Sequence, residues 1–304
     1  MTDRIGIRMD TAGASARRLL ERLRLYGQLT RADRPIGVLL LLWPTLTALW
    51  FAARGWPGWQ LLAIFTGGTW LMRSAGCAVN DVADRRFDAH VKRTAQRVVA
   101  TGQVGAGEAL AVAAVLAAAA ASTLIWLNGA ARLAALAAVA VAAAYPYFKR
   151  FFALPQAMLG IAFSFGIPMA FCAVQGRLPS AAGWMLAANF FWVIAYDTEY
   201  AMVDRDDDVG LGIHSSAILF GRADVAIVVA CYAIYLGGMA ALAWSAHLGP
   251  GFAAGWAAAA GCAIHHIRLI RGRSRDACFR AFLHNHWLGL AMFAGTAAGF
   301  AGSP

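Results

Sequence analysis

Charge is what this sequence has least of: 14% of its 304 residues are charged, against roughly 25% in an ordinary soluble domain. The apolar residues, 60% of the chain, fall in runs of about 20, the length that crosses ~30 Å of hydrocarbon. A soluble globular chain is thereby excluded, and a polytopic membrane protein is expected. Cysteine is sparse and scattered. Cys77, Cys172, Cys231, Cys262 and Cys278 form no CxxC pair and no metal-ligand spacing, so they read as small core residues. No repeat of fixed period and no Ser/Pro-rich linker occurs, which leaves one domain, 34–304, behind a basic tail, 1–33. No short apolar segment with a small-residue cleavage site follows the N-terminus, so no cleaved leader is expected. The net charge of +10 would suit a nucleic-acid binder, but such proteins cluster stacking aromatics with their basic residues. Here Lys and Arg punctuate apolar segments instead, and no nucleic-acid partner is expected.

Nine spanning segments read out, at about 35–53, 58–79, 108–127, 130–148, 155–175, 181–203, 224–246, 250–271 and 282–301. Alanine dominates several, which lets helices approach closely where lipid supplies no hydrophobic drive for association. Pro35 and Pro155 open two spans, where proline costs little. Pro44, Pro146 and Pro168 fall inside spans and predict kinks or local unwinding. Trp43, Trp56, Trp59 and Trp184 sit near span ends, as belt residues do. Before the first span, "SARRLLERLRLYGQL" places Leu19, Leu20, Leu23 and Tyr26 on one face, which suits a helix lying in the headgroup layer. Of the 26 Lys and Arg, 22 lie in the tail and in the loops that would share its side. That bias puts the N-terminus and the long loops in the cytoplasm, and the C-terminus outside.

Carboxylates are rarer still, and they are concentrated. Nine of the 16 Asp and Glu stand in "NDVADRRFD" (80–88) and "YDTEYAMVDRDDD" (196–208), at the cytoplasmic ends of the second and sixth spans. If the helices continue through these stretches, ~100° per residue puts Asn80, Asp84 and Asp88 within ~80° of one another. Asp197, Asp204 and Asp208 likewise fall within ~40°, while Asp206 points the opposite way and Asp207 stands to one side. Gathered carboxylates need cations. Oxygen donors with water suit Mg²⁺ bridged to substrate phosphates, and Arg85, Arg86, Lys92, Arg93 and Arg97, with Tyr145, Lys149 and Arg150 of "YPYFKR", would supply bases for phosphate. Arg73 lies about two turns inside its span, where an isolated arginine costs ~2.5–3.5 kcal/mol or more. It needs a partner, either an aspartate or a substrate carboxylate.

These residues resemble a known family, the UbiA-type intramembrane aromatic prenyltransferases. "NDVADRRFD" is similar to the family's first motif, NDxxDxxxD, and "DRDDD" (204–208) to its second, DxxxD. Within the family the chain most resembles the 4-hydroxybenzoate polyprenyltransferases of bacterial ubiquinone synthesis. That likeness rests on "DRPIGVLLLLWPT", "WLMRSAGCAVNDVADRRFDAHVKRTAQR", "YPYFKR", "YDTEYAMVDRDDD" and "AILFG". The resemblance implies an all-α bundle of nine transmembrane helices in a bacterial inner membrane, with a central cavity open to lipid and cytoplasmic cap loops. It also implies the chemistry: with Mg²⁺, a polyprenyl diphosphate ionises, and the ring carbon ortho to the hydroxyl of 4-hydroxybenzoate attacks it. Carried over by position, Asn80, Asp84, Asp204 and Asp208 would hold the metal and diphosphate, and Asp88 and Asp197 are further motif acids. Arg93, Lys149 and Tyr145 match the diphosphate-binding positions, and Arg34 and Arg73 those for the aromatic acid.

Two positions depart from the family pattern. Val98 stands where a proline is usual after Arg97, and His214 where a lysine is frequent. Other polar residues read plainly: His265 and His266 as interfacial or interhelix hydrogen-bonders, and "HNHW" (284–287) as no metal site. The alternatives are a related membrane prenyltransferase with another aromatic acceptor, a cation transporter, and an alcohol phosphotransferase of phospholipid synthesis. A transporter's acids would lie nearer mid-membrane, and the phosphotransferase signature is missing.

Overall fold

The computed structural model describes residues 17–88, 94–148, 154–212 and 214–302. Among the described residues the regular elements are all helical. A first helix, α1, runs through 17–29. It is followed by α2 (Ile36–Ala53), α3 (Trp59–Asp88), α4 (Ala106–Ser122), α5 (Gly129–Phe148), α6 (Pro155–Ser164) and α7 (Gly166–Gln175). Then come α8 (Ser180–Leu211), the short α9 (Ser216–Phe220), α10 (Asp224–Ser245), α11 (Pro250–Ile270) and α12 (Arg275–Ala301). Each of the nine apolar segments is therefore helical. Four stretches among the described residues are long and apolar enough to cross a bilayer by length and composition: Ile36–Ala53, Ala106–Trp126, Pro155–Gln175 and Ser216–Ser245. The protein is a multi-pass membrane protein.

Local chemistry sets the helix ends. Pro155 and Pro250 occupy the first turns of α6 and α11, where the missing N–H is no loss. The fifth apolar segment breaks between Ser164 and Gly166. Pro168 is the cause: it can give no N–H to the carbonyl four residues back, at Ser164, and its ring crowds that carbonyl. At Pro44, by contrast, α2 runs on without interruption. Both α3 and α8 continue through the acid-rich stretches, so the helical condition for sorting those acids by face is met. Helix α8 stops at Gly212, whose φ of 67° is left-handed and whose N–H reaches back to the Asp208 carbonyl, an end that suits glycine.

The chain forms two compact units. The larger comprises 36–70 and 120–304. Its core gathers Trp192, Tyr196, Tyr232, Leu49, Met239 and Leu288, all fully or nearly fully buried. Trp43, expected at a membrane edge, instead stacks on Phe293 with centroids 5.7 Å apart, whereas Trp56, Trp59 and Trp184 are exposed. Because lipid is as apolar as leucine, close packing of small residues has to hold these helices together. Helices α11 and α12 meet at Gly255 and Gly295, where a Cβ on Gly295 would sit 2.7 Å from the Gly255 Cα. Gly255→Leu is expected to push the pair apart and cost about 1–3 kcal/mol or more, read as a lower melting temperature in detergent. An unchanged melting temperature would contradict the close crossing.

The smaller unit comprises 1–35 and 71–119. Leu29, Ala75, Ala78, Val98, Val99 and Val104 are buried together in it. Tyr26 donates to Glu108 Oε1 at 2.6 Å, and Arg22 donates to the Gln103 carbonyl at 3.1 Å. Val98, which stands in place of the usual proline, contributes its side chain to this core and accepts a bond from the Val104 N–H at 3.0 Å.

Candidate active site

In the smaller unit the last turns of α3 carry Asn80, Asp81, Asp84 and Asp88. Asp81 is 1% exposed. Arg31, in the left-handed conformation just past α1, gives its Nη2 to both carboxylate oxygens of Asp81, at 2.7 and 3.0 Å. Arg97 Nη1 then bridges Asp81 Oδ1 at 3.2 Å and Asp88 Oδ2 at 2.8 Å. Thr94 donates its hydroxyl to the Asp88 carbonyl at 3.0 Å. Seven residues apart, Asp81 and Asp88 return to nearly the same side of the helix. Burial pushes both carboxyl groups up from the ordinary range, and the guanidinium groups of Arg31 and Arg97 pull back part of that rise. Two acids and two arginines thus form a closed, partly desolvated cluster.

This divides the first motif differently from the expected stripe. Asn80 and Asp84, one turn apart, are half-buried. Asp88 turns toward Asp81 and Arg97, and Arg97 is held by carboxylates. Arg73 is half-buried two turns earlier on α3. Arg34 is exposed, 3.5 Å from its neighbour Asp33. Arg93 lies outside the described residues.

In the larger unit α8 carries the second motif, and here too the members divide. Asp204 is buried; Asp197, Asp207 and Asp208 are half-buried; Asp206 is exposed. Arg205 Nη2 reaches Asp224 Oδ2 at 2.7 Å and the carbonyls of Ala217 and Gly221. Arg273 meets the other oxygen of Asp224, Nη2 to Oδ1, at 2.7 Å. Arg275 binds Asp207 at 2.9 Å. The Ser216 N–H donates to Gln156 Oε1 at 2.9 Å, tying α9 to α6. Arg205 therefore holds the "AILFG" segment through the Ala217 and Gly221 carbonyls, while Asp206 and Asp207 face Arg275 at the start of α12. Asp204 and Asp208, one turn apart, lie on a different face. His214 is exposed. Lys149 lies outside the described residues, as does the side chain of Tyr145.

Among the described residues no three His, Cys, Asp or Glu side chains gather tightly enough to cage a metal by themselves. The motif donors are all oxygens. That set fits a hard cation that keeps waters and shares substrate phosphate oxygens, and it does not fit a closed zinc-type cage.

Arg31 and Asp224 were not legible as partners in the sequence. Each lies in a different element from the acid or base it serves. The available signal was Asp81 itself, a carboxylate off the Asn80–Asp84 line that needed a cation.

Known proteins give these motifs a context. The family model for the UbiA prenyltransferase family matches residues 41–290. The 4-hydroxybenzoate octaprenyltransferase of Cupriavidus necator is 58% identical over 286 residues, 93% of this chain and 99% of that protein. The protein of the same name from Herminiimonas arsenicoxydans is 59% identical, over 91% of this chain and 97% of its own. The apo structure of a UbiA homolog from Aeropyrum pernix superposes with a TM-score of 0.74 at 26% identity, covering 85% of this chain and 96% of that one. A UbiA homolog from Archaeoglobus fulgidus, solved with GPP and Mg²⁺, shares the fold at a TM-score of 0.68 and 18% identity, over 91% of this chain and 98% of its own. With the acid motifs on α3 and α8 and a family match across most of its length, the chain belongs to the UbiA prenyltransferase family.

Proposed function

We propose that this protein transfers a polyprenyl group from polyprenyl diphosphate to 4-hydroxybenzoate. The carrying observation is the 58–59% identity, over more than nine-tenths of the chain, to proteins named 4-hydroxybenzoate octaprenyltransferase. An octaprenyl donor is accordingly the first to try.

In this reading the allylic C–O bond breaks and diphosphate leaves. The ring carbon ortho to the hydroxyl forms the new C–C bond, and the ring proton is lost. Asn80, Asp84, Asp204 and Asp208 would hold Mg²⁺, which when bound neutralises charge on the departing diphosphate. Arg93, Lys149 and Tyr145 would bind the diphosphate. Arg34 and Arg73 would receive the carboxylate of the aromatic acid. Asp88 and Asp197 support the motif acids, Asp88 by holding Arg97 in place.

The excess of Lys and Arg on one set of loops supports an inner-membrane topology with the N-terminus and the motifs in the cytoplasm. The exposed Leu19, Leu20 and Leu23 support placing α1 in the headgroup layer.

Metal removal tests the reading. Membranes containing the protein are expected to prenylate 4-hydroxybenzoate with octaprenyl diphosphate, to stop in EDTA, and to recover when Mg²⁺ is restored. Full turnover in EDTA would remove the metal from the account. Prenylation of a different aromatic acid, with none of 4-hydroxybenzoate, would change the acceptor.

A further inference from the structure

A buried polar cluster of the larger unit plays no part in the chemistry above. Glu199 of α8 is 0% exposed. Its Oε1 accepts from the Tyr232 hydroxyl and its Oε2 from Asn285 Nδ2, both at 2.8 Å. Tyr232 Oη also meets His266 Nδ1, at 2.9 Å, and His266 Nε2 meets His284 Nδ1, again at 2.9 Å. Asn285 is pinned in turn, donating to the Ala281 carbonyl at 3.0 Å and accepting at Oδ1 from Trp192 Nε1 at 2.9 Å, with the Tyr232 hydroxyl a further 3.0 Å from the same oxygen. His284 is half-exposed, and its ring lies 5.1 Å from that of the exposed His265. Three hydrogen bonds therefore link a sealed carboxyl group to the edge of the bundle, through α10, α11 and α12.

Counting donors and acceptors gives this chain two complete arrangements. With Glu199 ionised, the Tyr232 hydroxyl donates to Oε1, His266 Nδ1–H to Tyr232 Oη, and His284 Nδ1–H to His266 Nε2. With Glu199 protonated, every bond reverses. The carboxyl O–H donates to Tyr232 Oη, the Tyr232 hydroxyl to His266 Nδ1, and His266 Nε2–H to His284 Nδ1. Neither arrangement strands a donor or an acceptor along the chain. One proton shift across each bond converts the first into the second. A proton arrives on His284 Nε2 and one is gained at Glu199, so the count balances. Asn285 holds Oε2, the Ala281 carbonyl and Trp192 in both. A polar network that served packing alone would need only one satisfied arrangement. An ionisable group sealed inside membrane helices is costly to keep without use.

We propose that Glu199 is a proton-binding site, loaded and unloaded through Tyr232, His266 and His284. The other titratable groups around it are Cys262 of α11, which acts on Tyr232, and Cys278 of α12, which acts on Glu199. His265 and His286 face His284, and Asp224, Arg205 and Arg273 lie beyond Cys278. Asp204 and Asp208 stand about 140° and 180° around α8 from Glu199. The proton site is thus separate from the candidate diphosphate face, and it stands whatever the acceptor proves to be. The charge it gains or loses lies among four packed helices, where low polarity strengthens its action on their contacts.

Infrared difference spectroscopy on the full-length protein in lipid vesicles tests this. A protonated-carboxyl band that changes with pH and is absent in Glu199→Gln is expected, and in wild type it should shift promptly on transfer to D₂O. In His284→Phe and Tyr232→Phe that exchange should slow by about tenfold or more, because it then waits for local opening. The half-exposed position of His284 keeps its variant usable if Tyr232→Phe fails to fold. The proposal is overturned if no Glu199-dependent band responds to pH, or if exchange in His284→Phe is as fast as in wild type.

Discussion

Asp84→Ala and Asp204→Ala are each expected to lower prenyl transfer by at least about 10²-fold, with normal amounts of protein in the membrane. Loss of an outer-sphere partner of a metal ligand already costs about 10–100-fold, and a direct donor to a cation that neutralises leaving diphosphate should cost more. The two positions share the features this effect requires. Their motif neighbours are engaged in ion clusters: Arg31 and Arg97 bind Asp81 and Asp88, while Arg275 binds Asp207 and Arg205, between Asp204 and Asp206, binds Asp224. Each has a motif partner one turn away, Asn80 for Asp84 and Asp208 for Asp204, so each motif can offer oxygens in a pair. Raising Mg²⁺ should recover part of the lost rate in either variant if affinity is what was removed. The readout is initial rate against Mg²⁺ concentration in membranes matched for protein amount. Wild-type-like turnover in either variant would sink the ligand assignment.

Asp81→Ala should behave in the opposite way, losing protein before it loses chemistry. Its carboxylate is the hub of the smaller unit's ion cluster, bound by Arg31 at 2.7 Å and by Arg97 at 3.2 Å. Among the described residues, removing it takes this carboxylate from Arg31, three-quarters buried, and leaves Arg97 its contact with Asp88. Breaking a buried pair by deleting one partner costs about 3–5 kcal/mol, because the remaining charge stays desolvated. A sharply lower melting temperature and reduced membrane abundance are expected, with activity per folded molecule falling far less than in Asp84→Ala. Asp81→Asn, which keeps the shape and one acceptor oxygen, should fall between. If Asp81→Ala were as stable as wild type and inactive, Asp81 would belong with the metal donors.

These opposite expectations for neighbours on one helix mark the boundary of what the sequence could reveal. Apolar run length was enough to place the helices, and concentration of the acids was enough to locate the motifs at the ends of α3 and α8. Helical angle separated Asp206 and Asp207 from Asp204 and Asp208. It also left Asp88 about 20° from Asp81 and about 40° from Asp84, too close to either to decide its side. Arg97 decides it. Arg31, Asp224 and Arg273 were out of reach because an ion pair across 49 or 50 residues leaves no periodic trace. The chain from Glu199 to His284 was hidden for the same reason. Its members sit on four helices, each unremarkable in its own stretch, and only packing aligns their donors with their acceptors. The break in the fifth segment could be anticipated from Pro168, but its place at Ser164 follows from the four-residue reach of the lost hydrogen bond.

The most direct test of the account is the identity of the product. Membranes bearing the protein, given ring-labelled 4-hydroxybenzoate, octaprenyl diphosphate and Mg²⁺, should yield one product by mass spectrometry and proton resonance. It should carry the prenyl chain on the carbon ortho to the hydroxyl, with the carboxylate and the hydroxyl intact, and it should be missing from Asp204→Ala membranes. A prenyl ether or ester, or equal product from Asp204→Ala membranes, would contradict the claim that these acid motifs serve carbon–carbon bond formation on the aromatic ring.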